Sequence, residues 1–304
     1  MNDHSDNLRL SSPAEVIASR SLTWLVQNLT HFDPLTQSSF PDEWHQTLIA
    51  EIALLSYLCC RRCPTCKTDH RLVECLDWVE TIYRNPFFHE HIYHSRPAFA
   101  AHLTMWLALE NRDVESLIPR ERIQWLVNHS NVTSTERLPY RTLELRYLLE
   151  LGDFEHNLPD LPSLFRQTIL GRGFDSIFLT DYDIYSITHS IFYITDFGRQ
   201  RPAFLDLDHI QVTLSLLDVL LGMSIHVQNW DLVGELILSC YCLEPHERTW
   251  TELGWEALSV AQELSDVDDS SAYQLSLFRQ RYHLMLVTVL AGYLGHNGLG
   301  VRQR

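Results

Sequence analysis

Three stretches of the chain look alike: Leu22-Thr23-Trp24-Leu25-Val26, Leu76-Asp77-Trp78-Val79-Glu80 and Ile123-Gln124-Trp125-Leu126-Val127. Their tryptophans stand 54 and then 47 residues apart. A self-similar unit of this length is the mark of a repeat architecture, and the rest of the sequence has to be read around it. Ser163-Leu164-Phe165, Ser215-Leu216-Leu217 and Ser259-Val260-Ala261 take corresponding places further on.

Each of these segments is followed by a loop and a second helical stretch. The second stretches run near 43–58, 97–109, 140–151, 183–197, 232–242 and 275–294. Their apolar residues recur at helical spacing, as in Leu48, Ile52, Leu55 and Leu58. Between helices stand breakers such as Asn85-Pro86, Leu158-Pro159-Asp160, Arg201-Pro202 and Glu244-Pro245. Only 11 Gly and 12 Pro punctuate 304 residues, too few for the turns of an all-β protein. The expected fold is therefore all-α, built from antiparallel helix pairs. Six pairs fit a closed α/α toroid with the second helices inside; an open α-solenoid is the alternative. The tetratricopeptide period of about 34 is too short for this repeat. One domain is expected over 15–296, between a disordered tail at 1–14 and a tail at 297–304.

The formal charge is −16, and the 23 Lys and Arg are scattered. Binding to a phosphate backbone or an anionic bilayer needs clustered cations, so neither nucleic acid nor membrane is an expected partner. No basic stretch leads into an apolar run at the start, and seven Cys, four of them crowded into Cys59–Cys66, do not form a disulfide framework. A reducing, cytoplasmic setting is expected. The longest apolar runs lie near Leu214–Ile225, interrupted by Asp218, and Leu284–Leu294; both are too short to span a bilayer.

The repeat register gives the functional clue. Midway along the second helices stand Glu51, His102, Glu144, His189, Glu235 and His283, 42 to 51 residues apart. In a ring these side chains would converge on a central cavity, where carboxylates and imidazoles serve as acids and bases or hold a divalent metal. A lone His or Glu in an apolar helix is, taken singly, more often a satisfied core residue. His189 is the exception. Ile184, Ile187, Ile191 and Ile194 fall within about 80° on the helix and make a packing face. Tyr182, Tyr185, His189, Phe192 and Asp196 line another face. An imidazole and a carboxylate buried among aromatic rings need partners and have their protonation tuned by them. Asp196 is the expected orienting carboxylate of His189, and Gly198 the expected helix cap.

The same segment, Thr188-His189-x-x-Phe192-Tyr193-x-Thr195-Asp196-Phe197-Gly198, resembles a signature of an uncharacterised bacterial family, all-helical and associated with actinobacteria and natural-product gene clusters. The ending Tyr282-His283-x-x-x-x-Val287-x-x-Leu290-Ala291-Gly292 is similar to that family's C-terminal helix. The resemblance covers most of the chain and implies a biosynthetic context, with no activity attached.

Two other clusters draw the eye. Cys63-x-x-Cys66 has the spacing of a redox pair or half a zinc site, but no second knuckle follows and the incidental reading is the stronger. His89-Glu90-His91-Ile92-Tyr93-His94 lacks the helical His pair of zinc proteases and reads as a polar loop. No phosphate loop, Rossmann fingerprint, nucleophile elbow or acidic cyclase motif is present.

The expected activity is that of an enzyme acting on a small molecule or modified peptide. Its catalytic residues would be His189, Asp196, Tyr185 and His283. His102, Glu144 and Glu235 would form the cavity wall, and His189 and His283 would be the candidate metal ligands. The competing expectation is a helical-repeat binding scaffold without chemistry.

Overall fold

The computed structural model describes residues 12–32, 43–62, 68–85, 96–112, 114, 118–173, 178–246, 248–265 and 274–296. Among them the regular elements are all helices: α1 (Pro13–Gln27), α2 (Glu43–Arg62), α3 (His70–Tyr83), α4 (Arg96–Leu109), α5 (Arg120–His129), α6 (Pro139–Leu151), α7 (Leu161–Phe165), α8 (Ile169–Arg172), α9 (Asp181–Ile194), α10 (Leu207–His226), α11 (Trp230–Leu243), α12 (Thr249–Ser265) and α13 (Gln274–Leu290). A π-turn over Ala291–His296 follows α13.

Local chemistry sets the helix starts. Ser12 and Glu15 cap each other's backbone at the head of α1, with Pro13 in the first turn, so the helix begins inside the stretch read as tail. Thr180 and Asp183 form the same reciprocal cap on α9. Asp69, Asp160 and Asp206 cap α3, α7 and α10.

The six second helices of the sequence reading are α2, α4, α6, α9, α11 and α13. Each packs on the next, and α13 also packs on α2. The innermost, α11, is buried along nearly its whole length, including Gly234, whose missing side chain admits Val287 of α13. The first helices α1, α3, α10 and α12 pack on this layer. The fourth pair departs from the pattern, because its first member is reduced to the short α7 and α8.

The two ends of the chain meet. Helix α1 packs on α12, α13 and the π-turn. Trp24 stacks on Phe278, with ring centroids 5.8 Å apart. Arg71 reaches Ser19 and Thr23 of α1, Asp69 of its own helix cap and Tyr293 of the π-turn. Gln262 of α12 donates to Ser21 at 2.7 Å.

Helix α10 is long and apolar enough, by length and composition, to cross a membrane. It runs unbroken through Asp218, where the sequence reading interrupts it. Asp218 is held there by Arg248, just before α12, and Leu214, Leu217 and Leu221 are buried.

Candidate functional site

The centre of the site is Glu235, in the middle of α11 and only 1% exposed. A carboxylate buried this deeply needs partners, and three side chains supply them. Thr188 of α9 donates its hydroxyl to Oε2. His189 Nδ1 lies 3.5 Å from the same oxygen, and His283 Nε2 of α13 lies 3.5 Å from Oε1. One carboxyl thus bridges imidazoles from the helices on either side. The other nitrogen of His283, Nδ1, faces Asp231 at 3.8 Å, one helical turn before Glu235.

The two imidazoles are not equivalent. His189 Nδ1 is 2.8 Å from the carbonyl of Tyr185, so the proton sits on Nδ1 and Nε2 is left as an acceptor. Among the described residues nothing bonds to that Nε2. Burial, followed by the charges of Arg141 and His283, holds His189 neutral, down to about 3. For His283 burial also disfavours charge, but Asp231, Glu51 and Glu235 outweigh it and push the imidazole up to about 9. Burial drives Glu235 up to about 7 against the pull of His283 and Thr188. At neutral pH a neutral base therefore stands beside an imidazolium. Their side chains are 22% and 18% exposed, so solvent touches both residues while Glu235 stays behind them.

Aromatic rings frame the pair. Tyr140 and Tyr193 stand edge-on to His189 at 5.8 and 6.0 Å, and Tyr185 stands edge-on to His283 at 6.1 Å. Burial, then Asp231 and Glu235, keeps the Tyr185 phenol protonated far above neutrality, so it acts as a donor and a wall rather than as a base. Tyr193 donates to Glu144 at 3.2 Å, and Arg141 pairs with the other oxygen of Glu144 at 2.9 Å.

Five of the six register positions share this neighbourhood: Glu144, His189, Glu235 and His283 through the contacts above, and Glu51 through its charge on His283 and Glu235. His102 stands elsewhere. It is buried against Tyr83 of α3, with centroids 6.3 Å apart, on the side of α4 that meets the outer layer.

Asp196 does not orient His189. Helix α9 ends at Ile194, and the chain then takes left-handed φ values of 48° at Asp196, 51° at Phe197 and 80° at Gly198. That turn swings the carboxylate away from its own helix. It accepts from Tyr147 of α6 and Arg61 of α2, both at 2.8 Å, while Arg62 donates to the carbonyl of Phe197. The carboxylate that lies beside His189 is that of Glu235. Nor is α9 buried all round, since Tyr182 is 84% exposed.

Among the described residues no three His, Cys, Asp or Glu side chains are disposed to hold a metal ion. Both nitrogens of His283 face carboxylates, which leaves the open Nε2 of His189 as a single donor, too few to hold the expected metal. Cys63, Cys66 and the His89–His94 string lie outside the described residues. Asp231, Thr188 and Arg141 escaped the sequence reading, although Asp231 and Arg141 stand one turn before Glu235 and Glu144 on shared helix faces. A hollow of about 240 Å³ lies away from this centre, on the isoleucine face of α9 between Phe165, Leu170, Ile191, Phe204 and His209.

Fold and site together define an all-helical protein of repeated helix pairs with a buried carboxyl bridging two imidazoles. The chain belongs to the family described as Domain of unknown function (DUF6895), whose profile matches residues 18–293 and so takes in the whole centre. No curated protein and no solved structure matches it.

Proposed function

We propose that this protein is an enzyme working by acid–base chemistry on a small molecule or modified peptide. Its centre would be His189, Glu235 and His283 within a closed ring of six helix pairs. The observation that carries this reading is the unequal pair of imidazoles on one buried carboxyl. A neutral ring with an open Nε2 accepts a proton, and an adjacent imidazolium donates one or steadies a developing negative charge. Ionised Glu235 stabilises the positive charge that His189 acquires, as a carboxylate behind a catalytic histidine does. Tyr185 holds the His189 tautomer through its carbonyl. The ring is supported by the packing of α13 on α2 and of α1 on α12 and α13.

A biosynthetic role in the cytoplasm, in an actinobacterial natural-product gene cluster, is part of this reading and rests on the signature around His189. The net charge of −16 argues against nucleic acid and anionic membranes as partners. One observation favours the non-catalytic scaffold instead: Val212, Val219 and Met223 of α10 and Val260 of α12 are exposed, as a docking surface would be.

The test is turnover. The protein and its His189→Asn and His283→Gln variants are incubated with fractionated metabolite extracts and followed by mass spectrometry. The wild type is expected to consume at least one compound, and the variants to do so about a hundredfold more slowly while keeping their helical circular dichroism. With that compound, the rate should rise as Glu235 ionises through pH about 7 and fall as His283 loses its proton near 9. Equal rates in the variants, or no compound consumed in any fraction, would sink the catalytic reading.

A further inference from the structure

The charges around the centre are unevenly matched. Arg141 is taken by Glu144, and His283 lies between Asp231 and Glu235. These are the two cations among the charged groups described at the centre. Glu51, from the middle of α2, is a fourth carboxyl beside these two cations; it shares the charge of His283 and pairs directly with neither. Its Oε2 is shut off from water and has no hydrogen-bond partner among the described residues. A buried polar atom without a partner is costly, and it is rarely left so in a finished site. Burial pushes the Glu51 carboxyl up, a penalty that a nearby cation reverses.

The surroundings suit a cation. The ring of Tyr282 stands 6.0 Å from His283, and its phenol feels the charge of Glu51. Tyr140 and Tyr185 add two more half-buried rings over the imidazoles. Aromatic faces attract ammonium groups, more strongly when water is excluded. The net charge of −16 favours the approach of a cation from solution.

We infer that the substrate carries a protonated amine, which donates to Glu51 Oε2 and lies against the ring of Tyr282. This rests on the reading of the centre as the substrate site, and it names the class of molecule that site accepts. The amine would be the handle by which the molecule is held, with His189 and His283 left free to act on a neighbouring bond.

Three probes of matched size separate the possibilities: phenethylamine, phenethyl alcohol and hydrocinnamate, with affinities measured by ligand-observed NMR. The amine should bind roughly tenfold or more tightly than the other two. Glu51→Gln should remove that margin while leaving the alcohol unchanged. Tyr282→Leu, which spares the carboxyl, should weaken the amine alone and serves if Glu51→Gln does not fold. Equal or tighter binding of the alcohol or the carboxylate, binding of none of the three, or an amine affinity indifferent to both substitutions overturns the inference. Amine binding without turnover of any metabolite leaves the inference standing and sinks the enzyme. Turnover of an anionic compound at His189 does the reverse.

Discussion

His283 is held as an imidazolium by three carboxyls on two helices, and this makes part of the folding energy depend on pH. A group whose pKa is raised on folding stabilises the native state fully below its unfolded value, and that stability is lost as pH rises through the folded value. For His283 the window runs from 6.5 to about 9. For Glu235, raised from 4.5 to about 7, the loss is complete before the His283 limb ends. His189, lowered to about 3, acts in the opposite sense and costs stability as pH falls below 6.5. Urea unfolding of the wild type should therefore weaken by on the order of 3 kcal/mol between neutral pH and pH about 9. His283→Gln should be nearly flat across that interval. A variant that keeps the alkaline decline would show that the charge on His283 is not its cause. At this scale the sequence was informative where repeat register alone decides position. His189, Glu235 and His283 sit at helix midpoints and meet because those helices are neighbours. Asp231 and Thr188 were not legible, since which side of α9 and α11 turns toward α13 is a matter of packing that no single helix states.

The last turn of α9 shows what an element can hide. The heptad from His189 to Asp196 promises two groups on one face, but only if the helix lasts that long. Three successive left-handed residues end it early, and they are held in place by Arg61, Arg62 and Tyr147. Gly198, with φ of 80°, also passes so close to α11 that a Cβ would lie 2.9 Å from the Cα of Cys242. Gly198→Ala should therefore destabilise the protein by about 2 kcal/mol or more, through backbone strain and contact together. The midpoint of chemical unfolding reads this directly; a shift within a few tenths of a kcal/mol would mean that the turn yields without resistance. The fourth repeat was also obscure in sequence. Its first helix is broken into α7 and α8, so the Ser163-Leu164-Phe165 segment has little helix around it.

Across the whole molecule, the number and order of second helices could be read from apolar spacing, because each must bury a face on both neighbours. The meeting of the two ends could not, because contacts between residues some 270 apart leave no local trace. The seam is made where Gly292 meets α1. A Cβ there would lie 2.3 Å from the Cβ of Ala18. Gly292→Val should force the seam apart at a cost of roughly 2 kcal/mol. On the ring reading, amide exchange should then quicken in α6 and α9, on the far side, as well as in α1. A rise confined to α1 and α13 would describe an array whose ends merely touch.

The neighbourhood of Glu235 draws on α2, early among the described helices, and on α13, late among them. Until α13 arrives, Glu51 and Glu235 lack the imidazolium that faces them. A chain that ends between residues 235 and 283 holds every carboxyl of the centre but not the imidazole of His283. The described centre is therefore complete only once α13 is in place.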